Sequence, residues 1–159
     1  MLSRKLIHLL KYSGMKDIGF MLGELYGSVL MGSGFTDGID MIIPVPLDPA
    51  RERHRGYNQS LCIARGMAEY CRLPVRSDIL SRTGKSGSQT KRGRYERWEN
   101  VEGLFSVSKP GEITGRHVLL VDDVITTGST MEACVTALQS AGGVMVSVAA
   151  LAAAQKLTV

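Results

Sequence analysis

Apolar residues fall at helical spacing twice near the start of the chain. Leu2, Leu6, Leu9 and Leu10 mark a helix within Leu2 to Tyr12, and Ser13-Gly14 breaks it. Ile18, Met21, Leu22, Leu25, Val29 and Leu30 mark a second, so residues 1–35 form a helical N-terminal segment. Gly32 to Gly38 is a loop by composition. Met41-Ile42-Ile43 then reads as a short buried strand, closed off by Pro44 and Pro46. Asp48 to Gly56 predicts a charged loop. Tyr57 to Tyr70 predicts a helix carrying Leu61, Ala64 and Ala68, and Leu73 to Leu80 contains a brief strand.

Ser81 to Asn100 has few apolar residues and much Gly, Ser, Lys and Arg, so residues 81–100 predict a long mobile loop. Beyond it, His117 to Val121 is a β-prone run that ends in Asp122-Asp123. Ser129 to Ala141 predicts a helix with Met131, Cys134, Val135 and Leu138 on one side, stopped by Gly142-Gly143. Val144 to Ala150 is another strand. Strand, helix, strand with short connections is a βαβ unit, which predicts an α/β fold with a parallel sheet flanked by helices on both faces. With 159 residues the chain predicts one domain, 1–159.

Composition narrows the function. The 44% hydrophobic and 21% charged residues are ordinary for a globular protein. The longest apolar run, Val144 to Ala154, falls well short of the roughly 20 residues of a membrane span. Leu6 to Leu10, broken by His8, is too short for a signal peptide, so a cytoplasmic protein is expected. Cys62, Cys71 and Cys134 form no CxxC pair and read as free thiols in a reducing compartment. His8, His54 and His117 have no metal-ligand spacing, and no side-chain metal set is expected. Lys85 lacks the glycine and Ser/Thr context of a Walker loop, and Ser60 that of a hydrolase nucleophile. The net charge of +4 is uneven: residues 51–100 hold twelve Lys/Arg against five Asp/Glu. That excess fits an anionic ligand, phosphate or nucleic acid, or a solvated basic face.

The chemistry concentrates where the strand at His117–Val121 meets the helix from Ser129. Ligands of open parallel sheets bind beyond the carboxyl ends of strands. Here two carboxylates precede Thr126-Thr127-Gly128-Ser129-Thr130. A helix N-terminus offers unpaired N–H groups to a phosphate, and Gly128 lets the backbone close around it. Asp122 and Asp123 would repel a phosphate but suit neighbouring hydroxyls. Together these groups describe a ribose 5-phosphate; an ordinary helix cap would explain one hydroxyl and one acid, not the ordered run.

The run from Val121 to Thr130 resembles the signature by which type I phosphoribosyltransferases bind phosphoribosyl pyrophosphate (PRPP). A second resemblance covers about Leu6 to Leu151. Pro44-Val45-Pro46-Leu47, Arg55-Gly56-Tyr57-Asn58-Gln59, Gln89-Thr90, Arg97 and Asn100, with the strand Val118–Val121, resemble the ComF (GntX-like) family. The resemblance implies PRPP or a nucleotide as ligand, with Mg²⁺ bound mainly through PRPP. It implies Asp122 and Asp123 at the ribose and Thr126 to Thr130 at the 5-phosphate. Val45 and Pro46 would form a pyrophosphate loop with its N–H groups toward the leaving group, and Arg53 and Arg55 would clamp that group. Arg53 also reads as an exposed loop charge, and Asn58 and Gln59 as the cap and start of a helix. Gln89, Lys91, Arg94 and Arg97 would belong to a lid. Trp98 and Phe105 read as packing residues. ComF proteins commonly carry an N-terminal cysteine-rich zinc module that this sequence lacks; a shortened paralogue and an absent part both fit. The implied activity is phosphoribosyl transfer from PRPP to an acceptor, with pyrophosphate released. The alternative is a non-catalytic PRPP or nucleotide sensor, or a DNA-uptake adaptor that meets single-stranded DNA or competence proteins.

Overall fold

The structure, a computed structural model, describes residues 16–83 and 103–153. The elements run α1 (Lys16–Gly32), β1 (Met41–Pro44), α2 (Pro49–Arg55), α3 (Gln59–Cys71), β2 (Leu80–Arg82) and β3 (Phe105–Val107). A 3₁₀ turn (Pro110–Glu112), β4 (His117–Ile125), α4 (Ser129–Gln139) and β5 (Met145–Ala153) follow. The helix expected within Leu2 to Tyr12 lies outside the described residues.

The sheet has the order β1-β4-β5, all parallel, as the βαβ pattern predicts. Met41 pairs with Val118 and Val121 with Ala149, which fixes the register of the three strands. Asp40 anchors its lower end: the His117 amide donates to Asp40 Oδ2 at 2.8 Å. The brief strand expected before Leu80 is a parallel bridge from Val75 to Ile42, on the free side of β1.

Alternation along the strands splits the core in two. Ile43, Val118 and Leu120 pack with Met131, Cys134 and Leu138 of α4 on one face. Ile42, Leu119 and Val121 pack with Ile63, Ala64 and Met67 of α3 on the other. Helices therefore cover both faces, and a strand buried on both sides must be apolar along its length. Behind α3 lies α1, and their crossing is set by glycine. A Cβ on Gly66 would stand 2.0 Å from the Phe20 carbonyl oxygen, and one on Gly23 2.2 Å from that of Ile63. Gly19, Gly23 and Gly27 thus face inward, while Met21, Leu25 and Val29 face outward and are exposed.

Three expectations need correction. Asp48 to Gly56 is not a loop but mostly the helix α2, capped by Asp48, whose Oδ1 accepts from the Ala50 amide at 2.9 Å. Pro49 occupies its first turn, where a missing N–H costs nothing. Ser81 and Arg82, expected in a loop, are strand residues that pair with Ser106 and Phe105 in antiparallel register. Residues 84–102, with Gln89, Lys91, Arg94 and Arg97, lie outside the described residues. Finally, β4 does not end at Val121 but carries both acids within it and stops at Ile125. Phe105 is a core residue, as expected.

Candidate functional site

The far end of β4 departs from the rule that buried parallel strands are apolar. Asp122 pairs in register with Ala150 and Asp123 is buried. Their carboxylates turn back onto the chain: the Asp123 amide donates to Asp122 Oδ1 at 2.8 Å, and the Val124 amide to Asp123 Oδ1 at 2.9 Å. Ser60 Oγ, from the first turn of α3, also donates to Asp122 Oδ1 at 2.8 Å. Burial and the neighbouring Asp123 charge push the Asp122 carboxyl up to about 6, against the pull of the Ser60 hydrogen bond. Desolvation favours the uncharged acid, and a like charge adds to it. Such a group suits a site where hydroxyl donors arrive with a ligand.

Asp122 lines a shallow, open hollow together with Val124, Ile125, Thr126, Gly128, Thr130 and Met131. Thr126, Gly128 and Thr130 of the expected phosphate loop are thus among its lining. Thr126, Thr127, Ser129 and Thr130 are exposed, so the loop is not folded under its own chain. Gly128 takes φ +84°, a left-handed conformation that costs a side-chain-bearing residue about 1–2 kcal/mol. Gly128 caps α4 without a side chain, and of the first-turn amides that of Ser129 makes a long contact to Thr127 Oγ1 at 3.5 Å. Thr127 Oγ1 and Ser129 Oγ lie 2.9 Å apart, two hydroxyls on one rim.

The loop after β1 stands beside this hollow with a changed role. The Val45 amide donates to the Val121 carbonyl at 2.9 Å, continuing the sheet, and Pro46 has no N–H. Neither residue therefore turns a backbone donor toward a leaving group, as was expected. The next amides are those of Leu47 and Asp48. Arg53 and Arg55 lie on α2, Arg53 exposed and Arg55 half-buried.

Two residues emerge that sequence reasoning passed over. Ser60, dismissed as a nucleophile, holds Asp122. Arg82, placed in the expected mobile loop, sits at the end of β2 with its guanidinium 5.5 Å from the centre of the Phe105 ring. Its charge acts on both Asp48 and Cys134. Its buried Nε has no hydrogen-bond partner among the described residues. A buried donor left unpaired costs about 1–3 kcal/mol, so this arginine fits a site completed by an anion. The signal available in the sequence was only a cation closing an apolar strand.

The cysteines take no part in this chemistry. Burial, then the Asp122 charge, pushes the Cys134 thiol up to about 12, and burial raises Cys62 and Cys71 too. Thiols shifted that way are poor nucleophiles. Among the described residues no group of three or more His, Cys, Asp or Glu could hold a metal, and no helix is long and apolar enough to cross a membrane.

Comparison with known proteins bears on the family and the fold. The phosphoribosyl transferase domain family matches residues 37–158. The DNA utilization protein YhgH of Escherichia coli (strain K12) is 33% identical over 129 residues, which is 79% of this chain and 56% of that protein. Competence protein F of Haemophilus influenzae is 37% identical over 93 residues, 58% of this chain and 41% of that one. The chain thus spans about half the length of the curated relatives it matches. A crystal structure of an adenine phosphoribosyltransferase superposes with a TM-score of 0.56 at 15% identity, over 94% of this chain and 75% of that one. At that identity the likeness is one of fold.

Proposed function

Because the chain belongs to the phosphoribosyl transferase domain family, as a ComF-like member, we propose that it binds PRPP at the end of β4 and transfers its phosphoribosyl group. The observation that carries this reading is the hollow itself, with a carboxylate wall at Asp122 and an exposed hydroxyl-rich helix N-terminus at Thr126 to Thr130. Asp122 and Asp123 accept hydrogen bonds from the ribose hydroxyls. The amides and hydroxyls of Thr126, Thr127, Gly128, Ser129 and Thr130 take the 5-phosphate. The pyrophosphate lies toward the Leu47 and Asp48 amides, with Arg53, Arg55 and Arg82 as its cations.

In the reaction a nucleophilic acceptor bonds to the anomeric carbon while the carbon–oxygen bond to pyrophosphate breaks. The bond's electron pair leaves with pyrophosphate, and the acceptor gives up a proton. The carbon passes through an oxocarbenium-like state, which the fixed carboxylates stabilise electrostatically. The donor set fits Mg²⁺ held through PRPP oxygens and water, since the described residues supply no cage of their own. When bound, Mg²⁺ neutralises the departing pyrophosphate. Free thiols at Cys62, Cys71 and Cys134 support a reducing, cytoplasmic setting.

The names of the relatives favour a second reading, a PRPP-responsive or DNA-binding part of a DNA-uptake apparatus. The basic stretch 51–100 supports it. PRPP titration with and without Mg²⁺, followed by a pyrophosphate-release screen against bases and amines, tests the first reading. Micromolar PRPP affinity and release with one acceptor are expected. Absence of PRPP binding, together with salt-sensitive affinity for single-stranded DNA, would reject it in favour of the second.

A further inference from the structure

Asn58, Gln59 and Ser60 stand at the start of α3, where a cap is the ordinary explanation for an asparagine. Asn58 does cap: its Oδ1 accepts from the Ser60 amide at 3.0 Å. Its other end does something a cap does not need. Asn58 Nδ2 donates to the Val45 carbonyl at 3.0 Å, 13 residues back along the chain. Ser60 reaches across to β4, 62 residues on, where its Oγ holds Asp122 Oδ1 at 2.8 Å. Both side chains are buried, Asn58 at 8% and Ser60 at 4% exposure, so neither bond is exchanged with water.

From these contacts we infer that Asn58 and Ser60 are positioning residues for the two halves of the site. Asn58 holds the loop at Val45–Pro46, and Ser60 holds the carboxylate of Asp122. One helix start, itself anchored in the core by Ile63, Ala64 and Met67, thereby sets the distance between the pyrophosphate loop and the ribose-binding acid. The inference rests on the PRPP reading given under Proposed function. Its physical basis is that catalytic constellations tolerate little misplacement, and a shift of about 1 Å can cost on the order of a hundredfold in rate.

Aspartate caps helices as well as asparagine but has no N–H to offer, so Asn58→Asp separates the cap from the tether. Ser60→Ala removes the hydroxyl that holds Asp122. Wild type and both variants are titrated with PRPP and Mg²⁺, with inorganic pyrophosphate and Mg²⁺, and with ribose 5-phosphate, and each is unfolded in urea. Asn58→Asp is expected to lose roughly tenfold or more in affinity for PRPP and pyrophosphate while keeping that for ribose 5-phosphate. Ser60→Ala is expected to lose PRPP and ribose 5-phosphate affinity and keep that for pyrophosphate. Should Ser60→Ala fail to fold, Ser60→Cys, near in size but a weak donor, is read the same way. Equal losses on all three probes alongside a lower urea midpoint would mean a merely structural role and overturn the inference, as would unchanged affinities. Wild-type protein that binds no PRPP would overturn the site reading itself, and this inference with it.

Discussion

Asp122→Asn is expected to stabilise the fold near neutral pH while damaging the site. Asp122 lies in the sheet interior beside Asp123, and its carboxyl is pushed from 3.8 up to about 6. The folded state thus holds this proton more tightly than the unfolded chain does. Below about pH 3.8 the acid is protonated in both states and costs nothing. As pH rises from 3.8 toward 6 the unfolded chain releases the proton first, so stability falls. Above about 6 the penalty is constant. A difference of about two pK units corresponds to roughly 3 kcal/mol. Asparagine has the same shape, and its Oδ1 can still accept from Ser60 and the Asp123 amide. Its new N–H₂ must find water in the hollow, so the net gain is on the order of 1–3 kcal/mol. Urea unfolding of wild type and variant at half-unit steps from pH 3.5 to 8 measures it. The variant should be level with or somewhat below wild type at the acid end, gain on it through pH 4–6 and run parallel above. PRPP affinity should fall at neutral pH by about tenfold or more, since each charge-assisted hydrogen bond is worth about 1.5–3 kcal/mol. A difference independent of pH, or a variant less stable than wild type at pH 7.5, would refute the reasoning.

Two further substitutions probe the fold and the anion side of the site. Gly66→Ala places a methyl 2.0 Å from the Phe20 carbonyl oxygen and 2.8 Å from the Glu24 amide, so α1 and α3 must separate. The expected cost is about 3 kcal/mol or more, and a urea-derived loss under about 1 kcal/mol would show that the crossing is looser than drawn. Arg82→Met keeps an apolar stem against Phe105 but removes a buried guanidinium whose Nε has no partner among the described residues. Stability should hold or rise, while affinity for pyrophosphate with Mg²⁺ drops roughly tenfold. Lower stability with unchanged pyrophosphate binding would assign Arg82 to packing instead.

The βαβ unit was legible because each of its parts carries a local signal. Met131, Cys134 and Leu138 keep helical spacing, Gly142-Gly143 ends the helix, and Val118 to Val121 is a run that only a strand buried on both faces explains. α2 carried no such signal. It has no buried residue and hence no apolar stripe, and its only markers were Asp48 and Pro49 at the cap and first turn. In α1 the spacing was right, but it could not tell which side is inside. The inward stripe is Gly19, Gly23 and Gly27, and at Gly23 and Gly27 α3 passes too close for larger residues, so the methionine and leucine stripe is left facing out. Contacts such as Ser60 to Asp122 join residues 62 apart and leave no periodic trace.

What sequence reasoning got wrong about β4 is itself informative about the site. Acids were expected to end the strand because carboxylates are expensive inside a sheet. The strand instead continues through both to Ile125, and the chain accepts one carboxyl far from its ordinary titration range. Arg82 breaks the same rule with the opposite charge, burying an Nε that none of the described residues satisfies. Both residues act on Cys134, Asp122 raising its thiol and Arg82 lowering it, so the two charges converge on one stretch of α4. Charges of opposite sign so placed would relieve each other by pairing, yet the Asp122 oxygen is engaged by Ser60 and the Asp123 amide. Local rules are broken in folded proteins mainly where function requires it. An acid in the strand beside an open helix N-terminus, with a buried arginine acting on the same helix, is the combination that the proposed phosphorylated-sugar ligand would use.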